Sequence, residues 1–197
     1  TAALHAGDGF LVQGLDRDGG SVEKARQYIR SKSLYGPVTV DRLTGDRLPY
    51  VDNLARLIVL QDPQCQISEA EMLRALCPGG VLCDLRSSAS APRVVRKPWP
   101  QELDEWTHDL HGPDNNAVSH DQVVDVIERL QWVGGPRFGR HHDHMSSVSA
   151  CVSAQGRVFY LIDEGLRASI YLPPQWELVA RDAFSGVILW KRPIAEW

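Results

Sequence analysis

All six tryptophans of this 197-residue chain lie at or after Trp99, and six of its seven histidines fall between His108 and His144. No single repeated pattern produces that asymmetry, so the chain reads as two modules that meet near residue 90. Charge divides the same way. Residues 1–97 carry 13 Lys and Arg against 11 Asp and Glu, net +2, and residues 98–197 carry 8 against 14, net −6. With 43% hydrophobic and 23% charged residues, the composition is that of a folded chain. A mildly acidic chain without a basic stretch argues against a nucleic-acid partner. No apolar run approaches the ~18 residues of a transmembrane segment. Cys65, Cys77, Cys83 and Cys151 form no CxxC pair and read as buried free thiols.

The first module alternates strands and helices. Residues 10–16 (FLVQGLD) have a strand's length and composition and end in Asp16. Gly19, Gly20 and Ser21 offer a turn and an N-cap, with Lys24 where a capping-box Glu would sit. Val22, Ala25 and Ile29 then fall at helical spacing over 21–32. Residues 38–40 and 55–60 (ARLIVL) are further strands, the latter apolar enough to be covered on both faces. Ser68 and Glu71 are spaced as a reciprocal capping pair, and Met72, Leu73 and Leu76 line the buried side of that helix. Pro78-Gly79-Gly80 ends it before a strand at 81–85. This order predicts a parallel, doubly wound sheet.

Three segments of this half resemble class I S-adenosylmethionine-dependent methyltransferases. They are the strand ending in Asp16, the stretch GDRLPYVDN at 45–53, and EMLRALCPGG at 71–80. The resemblance covers about residues 1–87 and implies an incomplete Rossmann-like fold. It places Asp16 on the cofactor ribose, and Asp41 and Asp46 as stand-ins near the adenine. A strand-end Asp also suits capping of the next helix, so both roles stay open for Asp16. The glycine-rich loop after the family's first strand is absent, and Thr1–His5 would fall in its first helix. Gly7-Asp8-Gly9 precedes a strand and reads as a turn. The family's last helix and terminal hairpin are also missing. The expected module is therefore truncated and vestigial.

Residues 88–100, rich in Ser, Ala, Pro and Arg, read as a linker to the module at 101–197. One or two helical turns are expected over 101–108, a loop over 109–120 and a short strand over 130–133. Two hairpins follow. The first flanks Gln155-Gly156, and the second flanks the turn Ala183-Phe184-Ser185-Gly186. Four short antiparallel strands match one blade of a β-propeller.

The second turn lies within Ala180-x-Asp182-x-x-Ser185-Gly186-x-x-x-Trp190, which is similar to the tryptophan-docking motif of PQQ-like, quinoprotein-type propellers. In that motif Asp182 bonds turn amides, Gly186 makes the bend and Trp190 packs between blades. The segments KPWPQELDEWTHDLHG, RLQWVGGPRFGRHHDHM and ARDAFSGVILWKRPI look like the start of bacterial proteins in which a methyltransferase-like domain precedes such a propeller. One blade closes no ring, since propellers need ~4–8, so the remaining blades of a longer parent chain are expected partners. The resemblance also implies a location outside the cytoplasm, behind a signal peptide, whereas an active methyltransferase implies the cytoplasm. A small molecule or protein is the ligand expected at the propeller face.

His141, His142 and His144 are the densest set of potential metal ligands, and His108, His111 and His120 lie upstream. Extended backbone puts His142 and His144 on one face, and helical backbone pairs His141 with His144. Asp109 or Asp121 would complete a divalent-metal site, while a polar loop lining the propeller mouth is the alternative. Arg137 and Arg140 suit an anion instead. The adjacent pairs Asp104-Glu105 and Asp163-Glu164 read as solvated turns. The carboxylate constellation of a true PQQ site is not recognisable, so PQQ is not expected on this segment. Three functions remain open: a binding or scaffolding fragment with a vestigial methyltransferase-like domain, a methyltransferase completed upstream of Thr1, and a metal- or quinone-dependent oxidoreductase completed by later blades.

Overall fold

Asp18 starts the first helix. Its carboxylate accepts the Ser21 backbone N–H at 2.7 Å, so α1 runs Gly19–Ser31 and the cap is Asp18 in place of Ser21. The apolar stripe of α1 buries Val22 and Ile29 against Val38 and Val40, with Val12, Ala25 and Leu34 around them. Those valines belong to β1 (Val12–Asp16) and β2 (Val38–Arg42), which pair in parallel with Val12 opposite Val38 and Asp16 opposite Arg42. A parallel pair joined through a helix is the βαβ unit that the alternating pattern requires. The computed structural model describes residues 1–86, 91–123, 126, 130–135, 139–140, 148–169 and 171–195. Two units arise, Thr1–Lys97 and Pro98–Trp197.

The other half of the first unit forms around Leu76. Here β3 (Ala55–Leu60) lies parallel to β4 (Leu76–Asp84), and β5 (Arg93–Arg96) lies antiparallel to β4. Fully buried Leu76 packs with Leu60, Ile67, Met72 and Leu82. α2 (Glu69–Ala75) is capped by Ser68, whose side chain accepts the Glu71 N–H at 3.2 Å. Glu71 does not return the bond. Its carboxylate accepts the Leu48 N–H at 2.8 Å and the Arg74 guanidinium at 2.7 and 2.8 Å. Arg74 in turn reaches the Asp52 carboxylate at 2.6 Å and the Tyr50 carbonyl at 2.9 Å. The Glu–Arg pair thus clamps the 48–52 segment onto α2.

The helix ends at Ala75, and the strand begins at once with Leu76. Pro78-Gly79-Gly80 therefore lies inside β4, where the pairing shifts between Ala55 opposite Leu76 and Leu57 opposite Val81. The irregularity needs glycine: a Cβ at Gly80 would stand 2.8 Å from the Cys77 carbonyl oxygen.

A single doubly wound sheet does not form. The strands fall into the pair β1–β2 and the triplet β3–β4–β5, and no ladder joins them among the described residues. Residues at the chain start that lead into β1 form a short 3-10 helix (Ala2–Leu4), so none of them fills the gap as a strand. Part of the expected linker is β5, because Lys97 and Gly79–Gly80 exchange backbone hydrogen bonds at 2.9 and 3.0 Å that continue the antiparallel register.

In the second unit β6 (Val148–Ala154), β7 (Arg157–Asp163), β8 (Trp176–Asp182) and β9 (Ile188–Pro193) follow one another antiparallel in sequence order. Gln155 and Gly156 both adopt positive φ (49° and 69°), the left-handed pair of a tight hairpin turn. The expected helix over 101–108 is not formed. Tertiary bonds draw this stretch alongside β6: Ser153 N–H donates to the Trp106 carbonyl at 2.7 Å, and Gln155 N–H to Glu105 Oε1 at 2.6 Å. Nor is 130–133 a strand, since the Trp132 side chain is drawn onto the turn before β9. Of the four cysteines only Cys77 is buried, and Cys151 is exposed. Among the described residues the architecture is mixed α/β, mostly sheet with few helices, and no helix is long and apolar enough to cross a membrane.

Leu76→Ala empties the centre of the β3–β5 core and is expected to lower stability by about 2–5 kcal/mol in urea unfolding. Acid provides a second test. Arg74, with the Leu48 N–H, holds the Glu71 carboxyl at about 2 against an ordinary 4.5, and Arg86 holds Asp84 at about 2 against 3.8. Depressed folded values stabilise the fold above the ordinary ones, and that stabilisation is lost as pH falls toward 2. The melting temperature is expected to drop between pH 4.5 and 2, and Glu71→Gln should flatten that profile.

Candidate functional site

Parallel strands present their C-terminal ends to ligands, and Asp16 ends β1. Its Oδ1 accepts the Asp18 N–H at 2.8 Å, a turn that aligns the chain for α1. Asp41, on β2, is engaged within the unit: Oδ1 takes Arg26 at 2.7 Å, and Oδ2 takes Gln13 at 2.6 Å. Asp46 pairs with Arg17 at 2.6 Å. The structure thus gives these three carboxylates separate partners.

His141, His142 and His144 lie outside the described residues, as does Arg137. Arg140 is not available to an anion. Its guanidinium is buried against Asp163 at 2.8 and 3.1 Å and also donates to the carbonyls of Ser169, Leu172 and Pro173. Asp163 is correspondingly buried, not solvated, and also accepts the N–H groups of Gly165 and Gln175 at 2.9 Å each.

A different constellation forms at the start of the second unit. Asp104, His111 and His120 each bring one donor atom within 4.8 Å of the others. Asp104 Oδ2 lies 2.6 Å from His111 Nε2 and 3.7 Å from His120 Nδ1. Asp104 Oδ2 also accepts the His120 backbone N–H at 2.6 Å and the Ser119 hydroxyl at 3.2 Å, while Oδ1 accepts the Glu105 N–H at 2.8 Å. The His120 N–H, then the His111 ring, then the Glu105 N–H hold this carboxyl well below the usual range. An ionised carboxylate only accepts, so the facing His111 Nε2 carries a proton. Nδ1 of the same buried ring has no partner. Trp106 stands edge-on to His111 at 5.3 Å, and the His120 ring lies at 5.4 Å.

The carboxylate here is Asp104; Asp109 and Asp121 are the expected partners of His141, His142 and His144, which lie outside the described residues. Asp121 instead accepts backbone N–H groups of Val123 at 2.8 Å and Asp104 at 3.3 Å. The sequence signal was the three upstream histidines, but nothing in the spacing of 104, 111 and 120 forces one point. The positive φ of His111 (69°) and its bridge to His108 curl the chain so that they meet.

The motif between β8 and β9 is a stapled turn. Asp182 Oδ1 accepts the Phe184 N–H at 3.0 Å, the Ser185 N–H at 2.8 Å and the Ser185 hydroxyl at 3.0 Å. Ala180 is fully buried in β8, opposite Trp190 of β9. Trp190 is 44% exposed and tilts toward Phe159 at 6.1 Å. The tryptophan that covers the turn is Trp132: it donates Nε1–H to the Ala183 carbonyl at 2.8 Å, and its ring would lie 2.5 Å from a Cβ at Gly186.

Solved structures similar to part of this chain include the following two. The [4+2]-cyclase SpnF is 27% identical over 38% of the chain and 29% of its own length, with a TM-score of 0.35. The MccD protein is 19% identical over 36% of the chain and 34% of its own length, with a TM-score of 0.34. The chain thus spans about a third of the length of the solved structures it matches. No protein-family model matches it, and no curated protein does.

Gly186 carries φ 72° beneath the Trp132 ring. Gly186→Ala is expected to destabilise the second unit by roughly 1–3 kcal/mol through backbone strain alone, and displacement of Trp132 should change its fluorescence.

Proposed function

We propose that the chain acts in binding or scaffolding, through a methyltransferase-like α/β unit that does not transfer methyl groups and a second unit of PQQ-like propeller type. The observation that carries this reading is the use of Asp41 by Arg26 and Gln13 and of Asp46 by Arg17. A nucleoside approaching the ends of β1 and β2 competes with those internal bonds for the acceptors its amino group needs. The separation of β1–β2 from β3–β4–β5 also divides the strand ends over which a dinucleotide-type crevice forms. The second unit supports the structural role, because Ala180, Asp182, Ser185, Gly186 and Trp190 are spent on packing and on a turn.

Calorimetric titration with S-adenosylmethionine tests the proposal. Absence of saturable heat up to millimolar cofactor is the expected outcome. Micromolar binding that Asp16→Ala weakens at least tenfold overturns it and restores a methyltransferase reading.

A further inference from the structure

We infer that Asp104, His111 and His120 form a binding site for a divalent transition-metal ion of the zinc type. The three donors come from one loop yet lie 7 and 16 residues apart from Asp104, so their convergence is a product of the fold. One carboxylate oxygen is its focus, with His111 Nε2 at 2.6 Å and His120 Nδ1 at 3.7 Å. Donors about 2.0–2.1 Å from a tetrahedral zinc ion stand roughly 3.3 Å from one another. Small opposite adjustments bring both contacts to that spacing: one opens by about 0.7 Å and the other closes by about 0.4 Å.

The chemistry of the donors selects the ion. Two imidazoles and one carboxylate suit zinc and its first-row neighbours, whereas calcium and magnesium take oxygen donors. The His111 side chain is nine-tenths buried, and its Nε2 faces the Asp104 carboxylate. The His120 side chain is 73% exposed, which leaves one face of the site open to water as a fourth ligand.

Titration of the chelator-stripped chain with zinc chloride is expected to show saturable one-site binding in the micromolar range. His120→Ala removes an exposed ring, so the fold should survive with zinc affinity lowered at least tenfold. The triple variant His141→Ala, His142→Ala, His144→Ala should keep the affinity within about twofold, because the proposed ligands are Asp104, His111 and His120. Histidine ring NMR of the unmutated chain provides a readout independent of any variant's folding. Zinc should shift the resonances of His111 and His120. The inference is overturned by absence of saturable binding, by full affinity in His120→Ala, or by loss of binding in the triple variant. Zinc-induced shifts confined to the other five histidines overturn it as well.

Discussion

Asp18, Glu71, Asp104 and Asp182 each turn an ionisable carboxyl group onto backbone N–H groups that no ladder satisfies. Loops that leave secondary structure carry such donors, and each needs an acceptor if the loop is to hold one shape. Asp18 starts α1, Glu71 fastens the 48–52 segment, Asp104 gathers 105, 119 and 120, and Asp182 closes the turn before β9. The apolar cores stabilise helices and strands, and these carboxylates decide where the chain goes between them.

The same economy of acceptors governs what the units offer to ligands. Arginines beside β1 and β2 occupy Asp41 and Asp46, and Asp163 occupies Arg140. Groups that look available along the sequence are therefore partnered. The Asp104 carboxylate accepts backbone and hydroxyl donors as well, and two imidazoles, a ligand type for metal ions, stand beside it.

Local signals with a period or a capping rule were legible. ARLIVL is β3 over the same six residues, because a continuous apolar run bounded by turns has few alternatives. The helical stripe of Val22, Ala25 and Ile29 faces its core, and Gln155-Gly156 turns the first hairpin. Signals that depend on a distant partner misled. Ser68 and Glu71 have capping-box spacing, yet Arg74 and Leu48 draw Glu71 away. QELDEWTH has helical character, yet β6 supplies competing bonds at Ser153 and Gln155.

Residue order alone determined two modules of different character, an alternating strand–helix half and a half of consecutive hairpins. It did so because alternation, apolar runs and turn residues act over a few neighbours. Only the tertiary structure decided that the first half holds two separate sheets, that Trp132 covers the Gly186 turn, and that Asp104 meets His111 and His120. Those outcomes turn on which acceptor or ring a side chain reaches first, and contacts across 7 to 54 residues leave no periodic trace in a sequence.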